Sequence, residues 1–205
     1  MTDAVIIGGG LAGLVSSIEL ARRGFSVIVI ERKHYPFHRV CGEYVSNEVR
    51  PYLEGLGLRI NELGVKEIQR FCFTSPSGRV LETDLDLGGF GISRYNLDFA
   101  LYELAKKAGV QFVLGETVER VEFASEECRI NTSNKLDFSA KIVLGSFGKN
   151  SKMDKVLDRD FTHKKSPYVG VKYHIRTDFP QDLIALHNFK DGYCGISAIE
   201  EDKYC

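Results

Sequence analysis

The chain has 205 residues, of which 43% are hydrophobic and 27% are charged, and its formal net charge is −1. This mixture is typical of a globular protein and excludes a disordered or fibrous chain. The small net charge gives no reason to expect a nucleic-acid partner, because nucleic-acid binders usually carry a basic face. No stretch approaches the roughly 20 apolar residues of a spanning helix, so we expect no membrane span and leave peripheral membrane contact open.

Cysteine and histidine usage argues against a metal site. The five cysteines are widely spread and form no CxxC pair, and the loop histidines His34 and His38 have no second cluster of ligands nearby in the sequence. A zinc site or a disulfide framework is therefore not expected, and we predict no bound metal. Scattered thiols, together with a start that lacks the features of a signal peptide, predict a cytoplasmic protein.

The first 32 residues follow the pattern of a strand, a glycine turn, a helix and a second strand. Residues 3–7 predict a short buried strand. Apolar residues then recur at helical spacing from Leu11 to Ala21, and Gly24 is placed to end that helix. Residues 26–30 predict a second, β-branched strand. An ordered loop is expected over residues 33–45.

The rest of the chain alternates strands with a few helices. Ser46 is expected to cap a short helix that runs to about Leu53, and Ser93 to cap a longer one that ends at Gly109. Strands are predicted, in chain order, over residues 67–74, 79–85, 111–114, 117–123, 127–131, 135–139 and 141–144. After a second glycine loop at residues 145–148 and a short polar helix, residues 168–176, 182–188 and 192–199 predict a further sheet.

The glycine turn carries the strongest chemical signal. It reads Gly8-Gly9-Gly10-Leu11-Ala12-Gly13, which fits G-x-G-x-x-G between a strand and an amphipathic helix. The first glycine permits the tight turn, the second lets the backbone approach a pyrophosphate, and the third lets helix and strand pack closely. The pyrophosphate then meets the N–H groups and the positive end of the helix. This segment therefore predicts a dinucleotide site.

An acidic residue completes the motif. Glu31 lies about 20 residues after the glycines, at the end of the second predicted strand, where a carboxylate accepts hydrogen bonds from ribose hydroxyls. The same carboxylate would repel a 2′-phosphate, so NADP is disfavoured at this site. The motif by itself leaves the choice between FAD and NAD open.

Three segments point to one family. They are residues 5–32, the loop Pro36-Phe37-His38-Arg39-Val40-Cys41-Gly42-Glu43, and the helix start Ser93-Arg94-Tyr95-Asn96-Leu97-Asp98. Together they resemble the geranylgeranyl reductase-like branch of the FAD-dependent para-hydroxybenzoate hydroxylase superfamily, which also contains flavin-dependent monooxygenases and halogenases. The resemblance covers nearly the whole chain, and it implies FAD as the cofactor.

The resemblance also implies further cofactor contacts. Arg94 matches the arginine that lies near the flavin ribityl chain and phosphates, and Val118 matches a strand valine whose backbone contacts adenine. Cys41 and Gly42 match the loop that passes close to the isoalloxazine, and Cys41 is the candidate for a catalytic role. The expected cofactor-binding set is Gly8, Gly10, Leu11, Ala12, Gly13, Glu31, Arg32, Cys41, Gly42, Arg94, Val118 and Gly148.

The chain departs from that family in two places. Phe147 stands in the second glycine loop, where related proteins usually carry an aspartate. The later G-D motif, whose aspartate binds the ribityl chain, is absent, so we expect this chain to be part of a longer protein. The predicted fold is α/β: a Rossmann-like FAD-binding domain of residues 1–62 and 94–162, with a second, mostly antiparallel and incomplete substrate domain of residues 63–93 and 163–205.

These features predict an FAD-dependent oxidoreductase that acts on an apolar or aromatic small molecule. NAD(P)H or a ferredoxin-like donor is the expected reductant. The first hypothesis, which follows from the family resemblance, is a reductase that saturates isoprenoid double bonds. The alternatives are a flavin-dependent monooxygenase or halogenase, a truncated and non-catalytic dinucleotide-binding remnant, and an NAD-dependent dehydrogenase.

Overall fold

The computed structural model describes residues 1–149, 151–163 and 166–205. The chain divides into two compact units. The first consists of Met1–Phe37 and Asp98–Tyr168, and the second of His38–Leu97 and Val169–Cys205. Each unit contains a sheet of its own.

Four helices and thirteen strands are assigned in the described residues. The helices are α1 (Leu11–Arg22), α2 (Arg50–Gly55), α3 (Arg94–Lys107) and α4 (Lys152–Val156). The strands are β1 (Thr2–Ile7), β2 (Val27–Glu31), β3 (Tyr44–Ser46), β4 (Lys66–Thr74), β5 (Val80–Gly91), β6 (Gln111–Leu114), β7 (Val118–Phe123), β8 (Cys128–Thr132), β9 (Asp137–Gly145), β10 (Leu183–Phe189), β11 (Gly192–Ile196), β12 (Ala198–Ile199) and β13 (Lys203–Tyr204). No described helix is both long enough and apolar enough to cross a membrane.

The first unit is built on a six-stranded sheet in the order β6-β2-β1-β9-β8-β7. Strands β6, β2, β1 and β9 run parallel, whereas β9, β8 and β7 form an antiparallel meander. Val5, Ile6 and Ile7 of β1 are all buried, as expected for a central parallel strand that is covered on both faces. This is the Rossmann-like α/β arrangement that the sequence predicts.

Helix α1 follows β1 directly and packs against this sheet. Leu14 and Ile18 lie one turn apart and are fully buried, which is the apolar stripe that the sequence predicts. Gly24 has a φ of 85° just beyond the helix and ends it, because glycine adopts this left-handed conformation without steric cost. The chain then turns directly into β2, which pairs with β1 in parallel.

The second unit is built on a five-stranded sheet in the order β11-β10-β4-β5-β3. All of its pairings are antiparallel except that between β4 and β10. That parallel pairing is reinforced at its start, where the Arg70 guanidinium donates two hydrogen bonds of 2.8 Å to the Asp182 carboxylate. The Asp182 carbonyl also accepts the backbone N–H groups of Gln69 and Arg70 at 2.9 Å. The mostly antiparallel second sheet matches the prediction.

The structure corrects several predicted elements. Residues 135–139 and 141–144 were expected as two strands, but β9 is continuous because it pairs with β1 on one side and β8 on the other. Strand β5 extends past residue 85 to Gly91, and its last residues pair with β3 and β4. Residues 168–176 form no strand, since within the described part of the chain their only bridge joins Ile175 to Tyr204.

The unit boundaries differ from the predicted domain boundaries. Residues 38–62 belong to the second unit by their contacts, and β3 pairs with β5 in the second sheet. The functional division into residues 1–62 with 94–162 and residues 63–93 with 163–205 remains a prediction.

A pair of identical substitutions tests where the core of the first unit lies. Ile130 on β8 is fully buried, whereas Ile142 on the neighbouring β9 is 59% exposed. We expect Ile130→Ala to lower the free energy of unfolding by about 2–5 kcal/mol, because it leaves a cavity. The matched control Ile142→Ala should cost about 1 kcal/mol or less. Urea denaturation followed by circular dichroism measures both, and equal losses would contradict this assignment of the core.

Candidate functional site

The glycine turn after β1 is tightly enclosed by backbone. Gly8 has a φ of 102°, and a side-chain carbon there would lie 2.6 Å from the Ser146 carbonyl oxygen. A side-chain carbon at Gly13 would lie 2.0 Å from the Gly8 carbonyl oxygen. Larger residues at either position would push the turn away from its neighbours. The structure thus gives both glycines the packing role that the motif predicts.

The start of α1 suits an anionic ligand. Gly10 precedes the helix, and among the described residues no side chain caps it. Backbone N–H groups in the first turn of such a helix, together with the positive end of the helix dipole, favour a phosphate. Leu11 and Ala12 form this first turn, which is only partly covered. The local geometry therefore fits a pyrophosphate.

Glu31 is held against the glycine turn. It ends β2, is 4% exposed, and its Oε2 accepts the Gly9 N–H at 2.8 Å. Its Oε1 accepts the Lys33 N–H at 3.1 Å. Each carboxylate oxygen can accept more than one hydrogen bond, so ribose hydroxyls can still bind beside these donors. Glu31 and the glycine turn are thus hydrogen-bonded to each other, and together they fit the adenosine half of a dinucleotide.

The second glycine loop contributes a polar residue that the sequence analysis missed. The Ser146 hydroxyl donates to the Gly8 carbonyl at 2.6 Å, and its backbone N–H donates to the Ile7 carbonyl at 2.9 Å. Phe147, which replaces the expected aspartate, packs against the core of the first unit instead. The sequence analysis missed Ser146 because it did not foresee that β1 pairs with β9 in parallel. This pairing ends both strands at the same edge of the sheet.

Tyr35 is a second residue that was not assigned to the site. Its hydroxyl donates to the Gly9 carbonyl at 2.5 Å, and its ring stacks on Tyr102 with centroids 4.4 Å apart. Phe112 meets Tyr102 edge-on at 4.6 Å. The sequence analysis did not foresee this contact, because it depends on α3 and β6 lying beside the loop after β2. Tyr35 therefore holds the carbonyl group of Gly9, whereas Glu31 holds its N–H group.

Three further residues predicted to bind the cofactor lie in the first unit. Arg32 follows Glu31 on the surface, and Val118 is 4% exposed at the start of β7. Gly148 has a φ of 71° in the second glycine loop. Their contacts with a cofactor remain predictions.

Cys41, Gly42 and Arg94 belong to the second unit, where they meet around Glu43. The Glu43 N–H donates to the Cys41 Sγ at 3.5 Å, and the Gly42 carbonyl accepts the Ser197 hydroxyl at 3.3 Å. The Arg94 N–H donates to the Glu43 Oε1 at 2.8 Å. The structure thus brings these three candidates together, and their contact with a flavin remains a prediction.

Glu43 is the most heavily partnered carboxylate of this group. Its side chain is fully buried, Lys172 Nζ lies 2.6 Å from Oε1, and His174 Nε2 lies 2.6 Å from Oε2. Burial raises the pKa of Glu43, but the hydrogen bonds from Lys172, the Arg94 N–H and His174 outweigh it and hold that pKa below its usual value. Glu43 is therefore an ionised carboxylate inside the second unit.

Two neighbouring groups have shifted pKa values. Burial, and next the charge of Glu43, raises the pKa of the Cys205 thiol to about 12. His38 stacks on Tyr95 at 4.7 Å and meets the His174 ring edge-on at 5.1 Å. Burial and the nearby charges of Lys172 and His174 lower the pKa of His38. In the absence of a ligand, Cys205 is thus a neutral thiol at neutral pH.

The start of α3 is occupied by carboxylates. Glu43 accepts the Arg94 N–H, and Glu200 accepts the Ser93 N–H at 2.8 Å and the Asn96 side-chain amide at 2.8 Å. The Ser93 hydroxyl also donates to Glu200. The family resemblance matched Arg94 to an arginine near the flavin ribityl chain and phosphates. Glu43 and Glu200 are a second source of negative charge there, which the sequence did not reveal.

Comparison with known proteins identifies the family. The FAD binding domain family model matches residues 1–182. The chain belongs to this family of FAD binding domains. FAD is therefore its cofactor, and the glycine turn with Glu31 is the part of the structure that fits the adenosine and pyrophosphate of FAD.

Flavin-dependent enzymes are among the relatives. A flavin-dependent halogenase, armH3 of Armillaria mellea, is 27% identical over 62% of this chain and 26% of its own length. The digeranylgeranylglycerophospholipid reductase of Methanosarcina acetivorans is 28% identical over 74% of this chain and 39% of its own length. The structure of p-nitrophenol 4-monooxygenase PnpA from Pseudomonas putida has a TM-score of 0.79 at 13% identity, covering all of this chain and 56% of that one.

Coverage of the relatives is partial. The chain spans about a quarter to two fifths of these two curated relatives and a little over half of the monooxygenase structure. The likeness to the monooxygenase shows a shared fold. The sequence-based assignment to the FAD-dependent hydroxylase and halogenase superfamily, with a geranylgeranyl reductase among its members, is confirmed.

Two helical glycines test the packing of the turn. At Gly13 an added side-chain carbon would meet the Gly8 carbonyl oxygen at 2.0 Å, whereas at Gly55 in α2 it would meet nothing within 4 Å. Alanine gains roughly 0.5–1 kcal/mol over glycine in a helix, so propensity favours both substitutions. We expect Gly13→Ala to lower the melting temperature and Gly55→Ala to raise it or leave it unchanged. A thermal unfolding scan measures both, and equal responses would argue against the close contact of α1 with the turn.

Proposed function

We propose that this chain is the FAD-binding part of an oxidoreductase that transfers electrons between FAD and an apolar or aromatic small molecule. The observation that carries the proposal is the hydrogen-bonded contact between the glycine turn and Glu31 in the first unit. There, a glycine turn opens an uncapped helix, and the buried carboxylate of Glu31 is bonded to the Gly9 N–H at 2.8 Å. The family membership of the chain supports FAD as the dinucleotide.

Each residue of this site has a specific role in the proposal. The N–H groups at the start of α1 bind the pyrophosphate, and Glu31 accepts hydrogen bonds from the ribose. Ser146 and Tyr35 hold the carbonyl groups of Gly8 and Gly9 and so keep the turn rigid. The bound flavin supplies the electron transfer itself, and the protein supplies binding and orientation. We infer that a reduced pyridine nucleotide or a ferredoxin-like donor provides the electrons.

Within this class we propose a reductase of the geranylgeranyl reductase type, located in the cytoplasm. The resemblance of the loop containing Cys41 and of the α3 start supports it. So does the archaeal reductase, which aligns with 74% of this chain, against 62% for the halogenase armH3.

A flavin-dependent halogenase or monooxygenase is the second candidate. It is favoured by four halogenases among the curated relatives, including a tryptophan 2-halogenase from Chondromyces crocatus. In that case the substrate would be an aromatic ring.

The first test is flavin retention by the chain of residues 1–205. We expect visible flavin absorption bands to survive desalting after incubation with FAD. Glu31→Gln should weaken FAD binding about tenfold or more, because a hydrogen bond to a charged group contributes about 1.5–3 kcal/mol. The matched control is Glu19→Gln on the surface of α1, where Glu19 pairs with Arg23; it should retain FAD.

Cofactor binding also tests the two remaining hypotheses, a non-catalytic remnant and an NAD-dependent dehydrogenase. A folded chain that retains no flavin would favour the non-catalytic remnant. Thermal protection by NADH with none from FAD would favour an NAD-dependent dehydrogenase. Circular dichroism of both glutamate variants checks that any loss of flavin is not caused by unfolding.

Oxygen consumption distinguishes the two oxidoreductase types. A reductase should form product from an isoprenoid substrate under anaerobic conditions once the flavin is reduced. A monooxygenase or halogenase requires oxygen as a reactant, so one equivalent should disappear for each product formed. The measurement is made on the longer protein with an oxygen electrode, and stoichiometric uptake with product would exclude the reductase.

A further inference from the structure

Three side chains of different chemistry converge in the second unit. The ligand atoms of Glu43, His174 and Cys205 all lie within 4.8 Å of one another. A carboxylate oxygen, an imidazole nitrogen and a thiol sulfur are the donor types that bind zinc-class ions in proteins. Calcium and magnesium, which prefer oxygen ligands alone, do not suit this set.

The backbone builds this cluster. Ile175 and Tyr204 exchange two backbone hydrogen bonds of 2.9 Å, which places His174 opposite Cys205 in antiparallel register. The Cys205 N–H donates to the Ser197 carbonyl at 2.8 Å. The Ser197 hydroxyl in turn donates to the Gly42 carbonyl, which brings the loop of Glu43 to the same place. Three separate segments therefore meet here by paired backbone contacts.

The segment of His174 alternates its side chains between two sides. Val171 and Tyr173 are 68% and 73% exposed, whereas Lys172 and His174 point inward to Glu43. This is the period of two of an extended chain. Because the described part of this segment forms only the isolated bridge of Ile175 to Tyr204 and no ladder, His174 can shift by the small distance that a bound ion requires.

Glu43 is held in an uncommon backbone conformation. Its φ is 57°, and of the six non-glycine residues with positive φ in the described chain it is the only buried one. Such a conformation is energetically unfavourable and persists where the surroundings enforce it, which is common at functional sites. It turns the carboxylate of Glu43 inward, toward His174 and Lys172.

The contact between Glu43 and His174 requires a proton or a cation between the two groups. Oε2 and Nε2 are 2.6 Å apart, and a carboxylate lone pair cannot face an imidazole lone pair at that distance. A proton on Nε2 can fill the gap, and so can a metal ion. Ligand atoms on a tetrahedral zinc lie roughly 3.3–3.6 Å apart, so His174 would need to move by about 1 Å.

The other oxygen of Glu43 has the partners expected of a metal-binding carboxylate. Oε1 accepts the Arg94 N–H at 2.8 Å and Lys172 Nζ at 2.6 Å. Hydrogen bonds of this kind orient ligating carboxylates in known metal sites. Lys172 also offsets part of the negative charge of a carboxylate and a thiolate that share one divalent ion. The lysine can therefore remain in place when Oε2 binds the ion.

We propose that Glu43, His174 and Cys205 form a binding site for a single zinc-class divalent ion. Glu43 Oε2, His174 Nε2 and Cys205 Sγ are its three protein ligands, and water or a small ligand takes the fourth position. The Cys205 thiol, which donates to the Cys41 carbonyl at 3.3 Å, loses its proton to solvent when the ion binds.

Cobalt(II) is the probe, because a thiolate bound to cobalt gives a charge-transfer band in the near ultraviolet that carboxylates and imidazoles do not give. The untagged, reduced and chelator-treated chain is titrated with cobalt(II). We expect the band to saturate at one equivalent, together with the intense visible bands of a tetrahedral site, and to disappear when zinc is added. A folded chain that shows no charge-transfer band would overturn the proposal and leave a proton between Glu43 and His174.

Single variants assign the ligands. Cys205→Ser should abolish the charge-transfer band, and His174→Asn should weaken cobalt binding at least tenfold. The matched controls are Cys194→Ser and His187→Asn on the exposed faces of β11 and β10, which should bind cobalt as the unchanged chain does. A band that persists in Cys205→Ser, or that is lost in Cys194→Ser, would overturn the assignment. Circular dichroism and retained flavin confirm that each variant is folded.

Discussion

The parallel pairing of β1 with β9 is the constraint on which the nucleotide site depends. It ends the two strands at one edge, so that the loop after Gly145 packs directly on the turn after Ile7. The Ser146 backbone leaves no room for a side chain at Gly8, and the Ser146 hydroxyl binds the Gly8 carbonyl. On the other side of β1, the parallel pairing with β2 brings Glu31 to the Gly9 N–H, and α1 begins where the turn ends.

The glycine turn is held by hydrogen bonds of both kinds, some to its N–H groups and some to its carbonyl groups. Glu31 accepts an N–H of the turn, whereas Ser146 and Tyr35 donate to its carbonyl groups. A buried backbone group without a partner is costly, so these bonds let a glycine-rich segment stay ordered inside the unit. The N–H groups at the start of α1 are then the ones left for a phosphate. A rigid turn of this kind binds its ligand without first having to be ordered.

The second unit has a different organising group. Glu43 is buried and ionised, and it is hydrogen-bonded to two separate segments: Lys172 and His174 lie on one, and the Arg94 N–H lies on the other. Removing one partner of such a buried charge costs more than an exposed pair contributes, so these contacts hold the Glu43 side chain firmly in place. The same crowding of donor atoms is what makes the cluster suitable for an ion.

The sequence by itself determined the local features. The glycine spacing, the apolar stripe of α1 and the acid at the end of β2 predicted the dinucleotide site, because all of them lie within one strand–helix–strand segment whose geometry is fixed by short-range rules. Family resemblance then selected FAD, and the family model agrees. The continuity of β9, the bonds of Ser146 and Tyr35, and the meeting of Glu43, His174 and Cys205 were decided only by the tertiary structure. Each of them depends on which distant segments of the chain become neighbours, and no local pattern records this.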